Sequence, residues 1–310
     1  MHIIRGINHI APYHAGCVAT IGNFDGLHLG HQQVFAHLKE KAKAYQLPAT
    51  VISFEPLPHE FFSGETPPPR IYPQRDKMRL LKKLGIDDFI RLTFNKEFSQ
   101  IEAADFVNHI LLDKLNVRYL AVGDDFRFGK MRKGDFQLLQ QIGKQRGMEV
   151  QDTATFKADG ERISSTRIRQ ALQAGDIAEA NRLLGYPYSL SGRIRHGDKL
   201  GRTIGFPTLN LKIPDNIALR SGIYAVKIEG LDDAIHYGAA SVGRRPTVNG
   251  EDMRLETYVF DFNKEVYGKY ICIEPVKFIR PEEKFHSIEL MQAAIQQDCE
   301  QIKTLFANNG

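Results

Sequence analysis

Cys17–His31 reads CVATIGNFDGLHLGH. The run from Cys17 to Ile21 has the length and composition of a short buried strand. Gly22, Gly26 and Gly30 then punctuate a turn, and Val34, Phe35, Leu38 and Ala42 follow at helical spacing. Strand, glycine-rich turn and helix make one unit of an α/β fold, and the same alternation continues outward. Ala49–Phe54 is a second strand, stopped by Pro56 and Pro58. Residues 75–84 are helical, 88–93 strand-like, 103–115 helical, 117–122 a strand, 135–146 helical and 149–154 a strand. This predicts a parallel sheet with helices on both faces. The stretch FFSGETPPPRIYP, residues 61–73, is too rich in proline for regular structure and is expected to be a mobile flap.

The pattern changes further on. Two short helices, 165–173 and 177–184, end at Gly185-Tyr186-Pro187. From Tyr188 to Ile279 the reading is β: YSLSGRIRHG, GIYAVKIEG, HYGAASVG, RLETYVFDF and KYICIEPVKFI, separated by turns, as in an antiparallel barrel or sandwich. A helix over 287–306 follows. The expected domains are therefore residues 1–184 and 185–310, and a chain of 310 residues agrees with two.

Composition removes several function classes. With 41 basic against 37 acidic residues, the net charge of +4 is too small for a duplex nucleic-acid binder. No apolar run is long enough to cross a membrane. The opening MHIIRGINHIAPYHAG has no apolar leader. Three scattered cysteines fit neither a disulfide framework nor a zinc site, so a cytoplasmic location is expected.

The loop Gly22–His31 lies where open α/β sheets bind ligands, beyond the carboxyl end of a strand. His28 and His31 stand three apart at the start of the helix, whose first turn adds backbone donors and a positive dipole. A histidine-capped helix explains a lone H-x-x-H. The glycine frame after a strand favours a phosphate site holding Gly22, Phe24, Asp25 and Gly30 beside the histidines. In ISSTRIR, residues 163–169, Ser164, Ser165 and Thr166 can cap the next helix, and Arg169 can add charge for phosphates. VGDDFRFGKMRKG, residues 122–134, follows another strand. GDKLGRTIGFPTLN, residues 197–210, uses Gly201 and Gly205 to fix a tight path. It places Thr208 and Asn210 on one face of an extended segment, where their oxygens suit a hard cation.

His28-Leu29-Gly30-His31 and ISSTRIR resemble the two signatures of the nucleotidylyltransferase superfamily. The segment containing Asp125, Phe126 and Phe128 resembles that of the bacterial flavin adenylyltransferases. Pro207-Thr208-Leu209-Asn210 is similar to the P-T-A-N motif of riboflavin kinases, with leucine for alanine. The strand around Glu256 resembles the one whose glutamate acts as base, and Arg280–Phe285, RPEEKF, resembles a flavin-side segment. Together they resemble the bacterial bifunctional riboflavin kinase/FMN adenylyltransferases.

The resemblance implies a Rossmann-like nucleotidylyltransferase domain followed by an antiparallel β-barrel ending in a helix. It implies phosphorylation of riboflavin to FMN by the second domain, with Glu256 as base and Mg²⁺ held at Thr208 and Asn210. The first domain would adenylylate FMN to FAD, with His28 and His31 at the reacting phosphates. Asp125, Phe126 and Phe128 would face flavin there, and Arg280, Glu283 and Phe285 would face it in the kinase. The implied small-molecule partners are riboflavin, FMN, FAD and ATP, with no nucleic acid or membrane. The rivals are an adenylyltransferase for another phosphorylated substrate, against which Thr208, Asn210 and Glu256 argue, and a non-enzymatic flavin-binding regulator, against which the motifs in both halves argue.

Overall fold

The computed structural model describes residues 1–10, 15–63, 67–123, 125–153, 157–158, 161–197, 200–247 and 250–308. They divide into two compact units, Met1–Pro68 with Lys77–Ser164, and Pro69–Asp76 with Ser165–Gly310.

The first unit is built on a six-stranded sheet in the order β1-β4-β3-β2-β5-β6, with every pairing parallel. Its strands are β1 (His2–Arg5), β2 (Cys17–Ile21), β3 (Ala49–Glu55), β4 (Asp88–Thr93), β5 (Val117–Val122) and β6 (Glu149–Asp152). All of β2 is buried, as expected of a central strand covered on both faces. From β2 the chain builds toward β4, then returns to place β5 on the other side of β2. The strand order therefore reverses between β2 and β5, and the loops that follow these two strands flank the switch point. Helix α1 (Leu29–Tyr45) follows β2 and buries Phe35, Leu38 and Ala42.

Three features differ from the sequence reading. Strand β1 joins the sheet edge beside β4 although HIIR is largely exposed and has no strand-like burial pattern. Beyond the proline-stopped end of β3, Pro58–Phe62 forms a short helix, α2, with proline at its first turn where no N–H is needed. The helix expected over 103–115 begins as α-helix at Ala103–Asp105 and continues as π-helix over Phe106–Lys114. The wider turn buries two adjacent pairs, Phe106 with Val107 and Ile110 with Leu111. Of the strand expected over 149–154, Ala154 lies outside the described residues.

The second unit is a nearly closed antiparallel barrel, in the order β10-β13-β12-β11-β14-β9. Its strands are β9 (Leu190–Arg193), β10 (Thr208–Lys212), β11 (Gly222–Glu229), β12 (His236–Thr247), β13 (Gly250–Val259) and β14 (Tyr270–Arg280). One bridge, Arg195 to Asn210, links the two edges. Register shifts between β11 and β14 add the bending that closure requires. Helix α10 (Ile288–Ala307), capped by the Ser287 side chain, packs Cys299 and Ile302 against Ala225 and Phe260. Helices α7 (Ser165–Ala174) and α8 (Ile177–Leu184) also belong to this unit.

Residues 69–73 of the expected flap are built into the barrel unit. Residues 64–66 lie outside the described residues, but Ile71 and Tyr72 are only 0% and 1% exposed. The Tyr188 hydroxyl donates to the Ile71 carbonyl at 2.9 Å. The Arg70 N–H donates to Asn216 and its carbonyl accepts from Ala218. Asp76, fully buried, accepts from the backbone and the hydroxyl of Ser191 on β9. Phe61 and Phe62 end helix α2 against expectation; proline richness kept residues 67–73 out of helix and strand but did not prevent burial. Replacing Asp76 with alanine strands the buried Ser191 N–H, at about 1–3 kcal/mol, and leaves the Ser191 hydroxyl only its bond with Tyr270. We expect Asp76→Ala to lower unfolding stability in urea by about 3 kcal/mol. An unchanged midpoint would mean that this contact contributes nothing.

Candidate active sites

In the first unit the phosphate-loop residues come together. Gly22 leaves β2 with its N–H bonded to the Ile52 carbonyl, and a Cβ there would come 2.9 Å from the Phe24 ring. Phe24, Gly26 and Leu27 all adopt positive φ (45°, 90° and 44°). Two buried non-glycine residues in the left-handed region mark a loop held against its preference. His28 then caps α1: its Nδ1 accepts the His31 N–H at 3.4 Å, which leaves Nε2 to carry the ring proton in the neutral form. The two imidazoles stack at 3.6 Å, and the His31 ring meets the edge of Phe24.

Burial first, then His28 and Lys77, hold the His31 pKa well below its ordinary 6.5. Stacked imidazoles so close disfavour a second charge in any case. The buried Nδ1 of His31 has no hydrogen-bond partner. Asp25 is buried in the same loop. No sequence signal marked Lys77. From α3 (Gln74–Lys83) this buried residue donates to the Asn23 carbonyl at 2.7 Å, and the Ser53 hydroxyl donates to the same carbonyl.

Across the switch point, the loop after β5 is closed by paired backbone bonds between Phe128 and Gly134. Asp124 lies outside the described residues. Asp125 is exposed and Phe126 half-buried. Phe128 is a core residue, packed against Phe106 and stacked with Phe126 at 5.4 Å. Gly129, at φ 70°, lies so close to Ala103 that a Cβ there would clash with its backbone.

Ser164 and Ser165 are half-buried, and Thr166 is exposed in the first turn of α7. Within the second unit, the Arg167 guanidinium bonds Glu179, and Arg169 donates to the Pro69 carbonyl at 2.7 Å. Both arginines thus have protein partners.

The kinase candidates meet across the barrel strands. Asn210 on β10 is paired directly with Glu256 on β13, which is paired in turn with Ser241 on β12, while Thr208 stands opposite Tyr258. Paired residues share a face, so Thr208, Asn210, Glu256 and Ser241 form one polar row. Asn210 is 8% exposed, and its Oδ1 is buried without a hydrogen-bond partner. Gly197 lies so close to this amide that a Cβ would collide with it. An unsatisfied buried oxygen beside a hydroxyl and a carboxylate fits a hard cation. The described residues contain no group of three or more His, Cys, Asp or Glu able to hold a metal.

Gly201 accepts from the Phe206 N–H at 2.7 Å in the preceding turn, and Gly205 takes a left-handed φ of 88°. Asp198 and Lys199 lie outside the described residues. Arg280 forms a two-pronged ion pair with the buried Asp298 of α10, at 2.9 and 2.8 Å, and its guanidinium lies over Phe285. Glu283 is exposed, 3.9 Å from Arg280. Glu282, absent from the sequence candidates, accepts from the Ser241 hydroxyl and lies against Gly243.

Comparison with known proteins matches the FAD synthetase family over residues 10–167 and the riboflavin kinase family over residues 184–306. A curated bifunctional riboflavin kinase/FMN adenylyltransferase from Haemophilus influenzae is 42% identical, covering 99% of both chains. One of the same description from Escherichia coli K12 is 43% identical over 96% of both. A crystal structure described as a macrolide-efflux protein from Streptococcus pneumoniae superposes with a TM-score of 0.78 at 30% identity, covering 96% of this chain and 97% of that one. No described helix of the present chain is long and apolar enough to cross a membrane.

The His31 geometry has a pH consequence. Its pKa is lower folded than unfolded, so stability is full above 6.5 and is lost as pH falls below that value. NMR titration should show the His31 ring still neutral at pH 6.5. An ordinary midpoint near 6.5 would refute the buried, stacked arrangement.

Proposed function

The chain belongs to the family of bifunctional riboflavin kinase/FMN adenylyltransferases, and from that premise we propose how its residues divide the two reactions. The enzyme phosphorylates riboflavin to FMN with ATP, and it adenylylates FMN to FAD with release of pyrophosphate; the FAD synthetase part is N-terminal and the riboflavin kinase part C-terminal. We set the functional boundary at 184/185 and place the enzyme in the cytoplasm, where ATP is at hand and its three free cysteines stay reduced.

In the kinase reaction the ribityl 5′-hydroxyl attacks the γ-phosphorus of ATP; the new P–O bond forms as the bond to the ADP oxygen breaks. Glu256 takes the hydroxyl proton. The Thr208 hydroxyl and Asn210 Oδ1 would hold Mg²⁺, which when bound would neutralise charge on the phosphates. The pairing of Asn210 with Glu256, together with the unsatisfied Asn210 oxygen, carries this reading. Gly201 and Gly205 shape the ATP turn. Glu283 and Phe285 face flavin, and Arg280 supports them while anchoring α10.

In adenylyl transfer an FMN phosphate oxygen attacks the α-phosphorus of ATP, and the bond to pyrophosphate breaks. The nucleophile is already an anion, so the site needs alignment and charge stabilisation rather than a strong base. His28 donates from Nε2, and His31 and the first turn of α1 add donors. Gly22, Phe24, Asp25 and Gly30 shape the loop. Ser164, Ser165, Thr166 and Arg169 bind phosphate oxygens. Asp125 and Phe126 face the flavin, with Phe128 backing Phe126 from the core.

Two substitutions separate the activities. His28→Ala with His31→Ala should reduce FAD formation at least 100-fold while FMN formation continues; a folded double variant with normal FAD yield would refute the phosphate-loop assignment. Glu256→Gln should lower riboflavin phosphorylation by about 10²–10⁴-fold and leave FAD synthesis from supplied FMN intact. A kinase rate within twofold of wild type would remove Glu256 as the base.

A further inference from the structure

We propose that Lys77 is a positioning residue for adenylyl transfer, holding the Asn23 carbonyl so that the loop keeps its shape. The inference rests on the reading of Gly22–His31 as the phosphate loop and assigns that loop a residue outside its own sequence.

Lys77 is 3% exposed, and its ammonium donates to the carbonyl of Asn23 at 2.7 Å. A buried ammonium is costly unless it is well partnered, and an apolar side chain of similar shape is often as stable. Its presence here is better explained by what it does to its neighbours. Asn23 joins Gly22 to Phe24, the first of the left-handed residues that turn the chain into α1. Fixing its carbonyl fixes the peptide at the start of that turn, and the Ser53 hydroxyl bonds the same oxygen.

The second effect is electrostatic. The titratable groups acting on His31 are His28 from the loop and Lys77 from α3, and both oppose its protonation. A protonated His31 would disrupt the stack at 3.6 Å.

The test uses the full chain, with FMN formation and FAD formation assayed separately between pH 5.5 and 8.5. Lys77→Met keeps length and removes charge. It should lower kcat for FMN adenylylation by about 10–100-fold, leave riboflavin phosphorylation within twofold, and move the acid limb of the FAD pH profile upward. Lys77→Arg restores charge and should return the acid limb to its wild-type position. A purely structural lysine would not move the acid limb.

Adenylylation within twofold of wild type in Lys77→Met, with an unmoved acid limb, overturns the proposal. So does a Lys77→Arg variant whose acid limb shifts upward, which decides the matter should Lys77→Met fail to fold. His31→Ala in the same assay separates the two levels. If it is inactive while Lys77→Met is normal, only the role of Lys77 is refuted. If it too makes FAD normally, the phosphate-loop reading fails and the Lys77 role falls with it.

Discussion

Burial of β2 on both faces, between β3 and β5, is the constraint on which the proposed adenylylation site depends. A strand covered on both sides leaves its following segment only one direction, out past the carboxyl edge of the sheet. The chain must then reverse into α1 within a few residues. The left-handed conformations of Phe24, Gly26 and Leu27 accomplish that reversal. Its result is a helix N-terminus, capped by one histidine and carrying another, at the switch point of the sheet. Strain at Phe24 and Leu27 is offset by burying both side chains and by the bonds that Lys77 and Ser53 make to Asn23.

The barrel unit solves a different electrostatic problem by different means. A parallel sheet gathers helix N-termini at one edge, which suits anions. Antiparallel strands have little net dipole, but their register brings side chains from neighbouring strands onto one face. Here it aligns Asn210, Glu256 and Ser241, three oxygen-bearing side chains from three strands. Such a row offers oxygens of the kind a hard cation accepts, in keeping with the Mg²⁺ proposed for the kinase reaction. In the proposed division of labour, one unit would meet phosphate through donors and the other through a metal and a base.

Much of this was legible because it is local. Cys17–Ile21 and Ile177–Leu184 match the expected bounds, and the switch from α/β to β is plain in the spacing of apolar residues. The Thr208/Asn210 alternation needed only the strand period. What escaped was non-local. Nothing in RDKMR, residues 75–79, says that Asp76 bonds Ser191 and that Lys77 bonds Asn23. Strand β1 is short and polar, and only its pairing with β4 makes it a strand. The π-helix answers to packing of adjacent apolar pairs, a tertiary demand that overrides the ordinary helical period. The burial of Phe128 and the tie of Arg280 to Asp298 are likewise set by distant parts of the chain.

The central claim is that one chain performs two chemically distinct transfers, γ-phosphoryl to riboflavin and then adenylyl to the resulting FMN. The most direct measurement is to give the full-length enzyme riboflavin with ATP carrying radioactive phosphorus at either the α or the γ position, and to separate FMN, FAD and pyrophosphate. The γ label should enter FMN and remain in FAD, while α label should enter FAD and not FMN. FAD made from riboflavin without γ label, or α label in FMN, would contradict it.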